Sequence, residues 1–286
     1  MSILTRRLIS PSRLLYLAAL GLLGFVLARG FLEPAETAAT QVPGAPQPMG
    51  GTAQPATGAP ATPGHPLDEP LRLIAQAKKT FAGVRDYTCT LIKQERIGGQ
   101  LTPVHVVSMM VRNEPFSVYL KWHQPKAQVG QEACYVAGRN GGQMRAKSPG
   151  LLGTVGFVSV DPDDPRARKT SNHLITEAGI ANLLKRFETR WTGEYKLNKT
   201  QVRIGEYEYN KRRCIRVETS HPENIQGAFF CYRSVLYFDK ELQVPIRVEC
   251  YDWPRQGGAV GGDLIEVYSY VNLRLNAGLP DSVFNK

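Results

Sequence analysis

The sequence contains no G-x-S-x-G, no H-E-x-x-H and no phosphate loop of the G-x-x-x-x-G-K form. Nucleophile-elbow, zinc-protease and P-loop chemistries therefore have no motif to rest on. The five histidines, His65, His105, His123, His173 and His221, stand apart from one another and from any nucleophile motif, so no catalytic residue is assigned. Zinc lacks a C-x-x-C pair with a nearby histidine. The cluster Asp161, Asp163, Asp164 lacks the glycine and glutamate of a calcium loop and is interrupted by two prolines, which makes it a solvated turn. No metal and no cofactor is expected. Acidic residues are also in deficit, with 25 against 35 basic ones, giving a net charge of +10. The basic residues are dispersed, and no run exceeds Lys211-Arg212-Arg213, so nucleic acid is not an expected partner.

Beyond residue 32 there is no long apolar run, and this divides the chain in three. Arg6, Arg7 and Arg13 precede an uninterrupted apolar stretch from Leu14 to Ala28. That pattern marks residues 1–32 as a signal-anchor or transmembrane segment; with no crisp A-x-A site and no cysteine just after the run, an uncleaved anchor is preferred to the other reading, a cleaved signal peptide. The arginines place its start in the cytoplasm and send the rest across. Residues 33–66 are rich in Pro, Ala, Gly and Thr and read as a disordered linker. Residues 67–286 alternate charged and apolar residues and form the folded domain. The expected location is the bacterial cytoplasmic membrane, single-pass, with the domain on the periplasmic side and the membrane itself as a partner through the anchor.

Leu67, Leu71, Ile74 and Phe81 recur near helical spacing and predict a helix from Leu67 to Ala82. Strand-like runs follow at Tyr87 to Arg96, Leu101 to Arg112, Phe116 to Trp122 and Glu132 to Ala137. Between Gly138 and Arg190 the pattern breaks into a Gly-rich stretch, then a helix on Ile180, Leu183, Leu184 and Phe187 with Thr176 as its cap. Five more runs close the domain: Gln201 to Glu208, Arg213 to Thr219, Ala228 to Phe238, Val244 to Asp252 and Leu264 to Leu275. Two helices cannot cover both faces of eight or nine strands. The expected class is therefore α+β, mainly β: a curved antiparallel sheet, a half-open β-barrel, with an N-terminal helix and a mid-chain helical lid.

The segment Asp86 to Arg96 with Gly99 and Leu101, and the segment Leu242 to Glu249 with Tyr251, Trp253 and Pro254, resemble an uncharacterised bacterial family of exported proteins, a domain of unknown function. The helix leading into a meander, the mid-chain insertion and the terminal Tyr270 to Phe284 segment are similar to the LolA/LolB lipoprotein-carrier superfamily. That likeness implies an unclosed antiparallel barrel with a helical lid over an acyl-chain cavity, and a lipid or lipoprotein as ligand. It places the carrier's polar lid contacts on no residue of this sequence.

Five cysteines occur, Cys89, Cys134, Cys214, Cys231 and Cys250, and an odd count leaves at least one unpaired. A hairpin turning at His221-Pro222-Glu223-Asn224 would set Cys214 opposite Cys231, within disulfide reach. A second turn at Asp239 to Leu242 would set Cys231 opposite Cys250. The bridge expected is Cys214 to Cys231; the other reading is five small buried thiols. Leu151, Leu152, Val155 and Phe157 among glycines read either as a lid, together with Ile180, Leu183, Leu184 and Phe187, or as an ordinary loop. The sequence thus points to a non-enzymatic, membrane-tethered envelope protein that binds an apolar ligand, or to an interaction or sensor module without one.

Overall fold

The computed structural model describes residues 47–48, 64–225 and 227–286. The expected anchor and nearly all of the expected linker lie outside the described residues. Among the described residues, no helix is long and apolar enough to cross a membrane.

The first helix, α1 (Asp68–Phe81), buries Leu73, Ile74, Ala77 and Phe81 on one face. Asp68 and Glu69 in its first turn and Lys78 and Lys79 in its last complement the helix dipole. Six strands follow as a meander: β1 (Asp86–Ile97), β2 (His105–Arg112), β3 (Ser117–Gln124), β4 (Glu132–Val136), β5 (Met144–Lys147) and β6 (Val158–Val160). The second helix, α2 (Ile180–Leu197), then leads to a second meander of β7 (Gln201–Tyr209), β8 (Arg212–Ser220), β9 (Arg233–Asp239), β10 (Pro245–Tyr251) and β11 (Leu264–Leu275). The two meanders join where β11 pairs with β1, so the order across the sheet is 7-8-9-10-11-1-2-3-4-5-6, antiparallel throughout. Two-residue strands at Gln47–Pro48 and Gln100–Leu101 pair with β7 and β1. The sheet is curved and unclosed, as expected from the surplus of strands over helices.

α1 and α2 lie on one face, called inner here, and share its apolar cluster. Alternate residues of the central strands enter it: Tyr87, Cys89 and Leu91 from β1, Val107, Met109 and Val111 from β2, Leu236 and Phe238 from β9. From α2 come Ile180, Leu183, Leu184, Phe187 and Trp191, at i, i+3, i+4, i+7 and i+11. Each large side chain so buried contributes about 1.5–3 kcal/mol. An exposed ion pair from Lys78 to Glu188 links the two helices and adds at most about 1 kcal/mol. Smaller clusters occupy the outer face, one on Tyr209, Cys214, Val235, Tyr237 and Ile246.

The structure departs from the sequence expectations in four places. The 138–179 segment contains β5 and β6, too short to show a period-2 pattern, where only loop was expected. Thr176 does not cap α2: Gly179 stands at the cap position with φ 96°, and the buried Tyr87 hydroxyl accepts the Ile180 N–H at 2.9 Å. The strand expected from Ala228 begins only at Arg233, so β8 and β9 are joined by a long loop rather than a tight turn. That loop shifts the register, and Cys214 faces Asp239, not Cys231. Cys214 belongs to the outer cluster and Cys231 to the inner one; the sheet separates them, the expected bridge does not form, and all five cysteines are buried free thiols.

Candidate functional site

The inner face is apolar over most of its length and polar at one end. In β1 the inward residues run Tyr87, Cys89, Leu91 and then Lys93 and Glu95, both buried. Strand pairing carries that change across the sheet: Glu95 opposes Glu266, Glu266 opposes Cys250, Cys250 opposes Ser234 and Ser234 opposes Thr219. Thr219 and Ser234 satisfy each other through a 2.7 Å hydrogen bond.

Two carboxylates directly opposite one another repel, so the Glu95–Glu266 pair needs partners. Glu95 accepts from Lys93 Nζ at 2.7 Å, Ser171 Oγ at 2.9 Å, the Asn172 backbone N–H at 3.0 Å and the Tyr268 hydroxyl. Burial pushes its carboxyl up, but the Lys93 charge and these hydrogen bonds outweigh burial and bring it down to about 2. Glu266 accepts from Asn172 Nδ2 at 3.2 Å and from His173 Nε2 at 2.9 Å, while His173 Nδ1 accepts from Arg186 at 2.6 Å. Burial raises its carboxyl too, and His173, Arg186 and Asn172 more than reverse that. Both groups are thus ionised at neutral pH, and residues 171–173 are strapped across them. His105 lies opposite Lys93; burial and the Lys93 charge lower its imidazole to about 4. It is therefore neutral and accepts from Trp122 Nε1 at 3.2 Å.

The polar end of the sheet faces a matching stripe on α2. Arg186, Arg190 and Glu194 fall at i, i+4 and i+8, which aligns them along one side of the helix. Arg186 holds His173, as above. Glu194, buried, accepts from His221 Nε2 at 3.1 Å and Thr200 Oγ1 at 3.2 Å, and so anchors the loop between β8 and β9. His221 also stacks on Phe229, with ring centroids 4.1 Å apart. Between these two, the Arg190 guanidinium lies 3.6 Å from the centroid of the half-exposed Phe230 ring and 5.6 Å from that of Phe187.

The model described as a protein of unknown function, DUF1571, matches residues 84–286. The chain belongs to the DUF1571 family. No curated protein matches it in sequence. Among solved structures, an uncharacterised conserved protein of Thermus thermophilus is similar over 76% of this chain and 93% of its own, with a TM-score of 0.43 at 10% identity. The lipoprotein LppX of Mycobacterium tuberculosis is similar over 73% and 96%, at 0.43 and 11%. A LolA superfamily protein of Nitrosomonas europaea is similar over 75% and 96%, at 0.36 and 11%.

In this DUF1571 chain the residues singled out from sequence divide into two groups. Ile180, Leu183, Leu184 and Phe187 are brought together, each at most 2% exposed, in the inner cluster. The other four do not join them. Leu151 and Val155 sit on a 3-10 turn, Gly150–Val155, with 89% and 69% of their surface exposed, and Leu152 and Phe157 are half-buried. What crosses the polar end is the segment just beyond, residues 171–173. The sequence reading missed Lys93, Glu95, Glu266, Arg186 and Arg190. A signal existed: Lys93 and Glu95 fall on the core parity of a strand, where charge is out of place. Among the described residues, no group of three or more His, Cys, Asp or Glu could hold a metal ion. A cleft of about 260 Å³ lies at the far end of the sheet, beside the Asn210–Lys211 turn, Leu242 and Leu273.

Proposed function

We propose that the chain is a non-enzymatic envelope protein, tethered to the cytoplasmic membrane by residues 1–32 and the 33–66 linker, that binds an apolar ligand between the inner face of its sheet and α2. The ligand class is a lipid acyl chain or the acyl part of a lipoprotein. The observation that carries this reading is the division of the inner space. An unbroken apolar cluster fills most of it, and a buried polar row closes one end, which suits an amphiphile better than a wholly apolar molecule. The space between the inner face and α2 is filled by the apolar cluster itself, so the ligand enters as the cover moves. Gly179, in a conformation that other residues adopt with strain, stands where such a movement of α2 would pivot.

The test is native mass spectrometry of the full chain purified from cells, with displacement of a fluorescent fatty acid as a second readout. Co-purified lipid at about one per chain is the expected result. Absence of any lipid together with no fatty-acid binding would refute the proposal. A second reading, a protein-interaction module, is favoured by the exposure of Leu151 and Val155 beside β5 and β6; crosslinking in membranes that traps one dominant protein partner on a lipid-free chain would select it.

A further inference from the structure

Arg190 is the one member of the α2 polar stripe that makes no hydrogen bond among the described residues. Among the described residues no carboxylate lies within ion-pair distance of it, and its contacts are the faces of Phe230 and Phe187. It is half-buried, and burial draws its guanidinium down from the usual arginine value, yet an arginine stays charged in proteins. The neighbours that could neutralise it are spoken for. Glu266 is engaged by His173 and Asn172. The Cys250 thiol is held protonated by its hydrogen bond with Cys231 and by burial, so it supplies no charge. Arg186, one turn away, adds a second positive charge. A half-buried cation that rests on ring faces is only partly solvated, and an anion placed here would gain charge-assisted hydrogen bonds from it, with Arg186 one turn away.

We infer that Arg190, assisted by Arg186, is the binding site for the anionic head, a carboxylate or phosphate, of a single-chain amphiphile, with Phe230 against the first carbons of its chain. This rests on the apolar-ligand reading above and deepens it. The polar row from Glu95 to Thr219 then lies at the head end, and the apolar cluster takes the tail.

The full chain is incubated with an equimolar mixture of hexadecanoate, hexadecyl phosphate and hexadecanol, and loading is read by native mass spectrometry. Wild type is expected to take the two anions over the alcohol by about tenfold, the worth of a charge-assisted hydrogen bond. R190Q is expected to lose that preference while still loading hexadecanol, and R190K, which keeps the charge, to retain most of it. Equal loading of all three by wild type would overturn the head-group site and leave the apolar-ligand reading standing. An R190Q chain with the wild-type preference would do the same. Loading of none by wild type would remove both. Should R190Q fail to fold, a loss of preference in R190K would overturn the role of charge, since that variant carries it. Inorganic phosphate alone is the control for a free anion: binding that R190Q abolishes, with no amphiphile bound, would assign the site to a free anion and overturn the amphiphile.

Discussion

Replacing Glu95 by glutamine tests the polar end of the inner face directly. The carboxylate is 1% exposed and accepts four hydrogen bonds, from Lys93, Ser171, Asn172 and Tyr268. A glutamine keeps the shape but turns a donor toward Lys93 and leaves that ammonium buried without a counter-ion. Two routes give the size of the effect. Breaking one partner of a buried pair costs about 3–5 kcal/mol. The lowering of the Glu95 carboxyl from 4.5 to about 2 corresponds to about 3 kcal/mol by linkage. The sign follows from the direction: a lowered carboxyl stabilises above about pH 4.5, and that contribution is lost as pH falls to 2. Urea unfolding of the full chain at pH 7 should therefore show E95Q less stable by about 3 kcal/mol, and E95Q should lack the wild-type loss between pH 4.5 and 2. Hydrogen exchange should quicken at residues 171–173 before it does in β1. K93M/E95Q should be less damaged than the sum of the single variants, since no charge is stranded. A loss under about 1 kcal/mol, or a full loss with unchanged exchange at 171–173, would refute the strapping role.

Three further outcomes follow from the same geometry. His105, lowered to about 4 by burial and Lys93, binds a proton in the unfolded chain before it does in the folded one, so stability should drop by up to about 3 kcal/mol as pH falls from 6.5 to 4. His105→Asn, which keeps an acceptor for Trp122, should flatten that slope in pH-dependent urea titrations. Leu184→Ala should cost about 2–5 kcal/mol with an unchanged denaturant slope, because Leu184 is 1% exposed within the inner cluster. Gly179→Ala places a methyl 2.6 Å from the Tyr87 hydroxyl at a φ of 96°; it should strand the Ile180 N–H and cost about 3 kcal/mol by thermal or chemical unfolding.

Periodicity carried the fold because its signal is local. α1, β1 and β11 were legible from apolar spacing, and β11 ends where the pattern does, at Leu264 and Leu275. β5 and β6 were not, since four half-buried residues in one, and two half-buried and one buried in the other, show no alternation. The cysteine pairing failed on a single unobservable quantity, the length of the loop after Ser220, because eight residues of register decide whether Cys214 meets Cys231 or Asp239. The site itself was the least legible part. Glu95 and Glu266 are 171 positions apart in sequence and become neighbours only when β11 closes against β1. His173 and His221, read as isolated, each find a glutamate through α2 or the strand it covers.

The inner face is closed by two chemistries, and they resist opening in different ways. Lifting α2 exposes Ile180, Leu183, Leu184, Phe187 and Trp191 together, at about 1.5–3 kcal/mol for each large side chain, so water alone does not open the apolar part. Lifting residues 171–173 exposes hydroxyl, amide and imidazole groups that water solvates, while Lys93 and Glu95 stay paired beneath them. Release of the polar segment is therefore the easier first step, and it uncovers the end where Arg186 and Arg190 stand. Displacement of α2 becomes feasible only when an apolar chain replaces its contacts as they are lost. On the proposed reading, a molecule with a charged head and an apolar tail meets both requirements of opening, and a purely polar or purely apolar one meets only half of them.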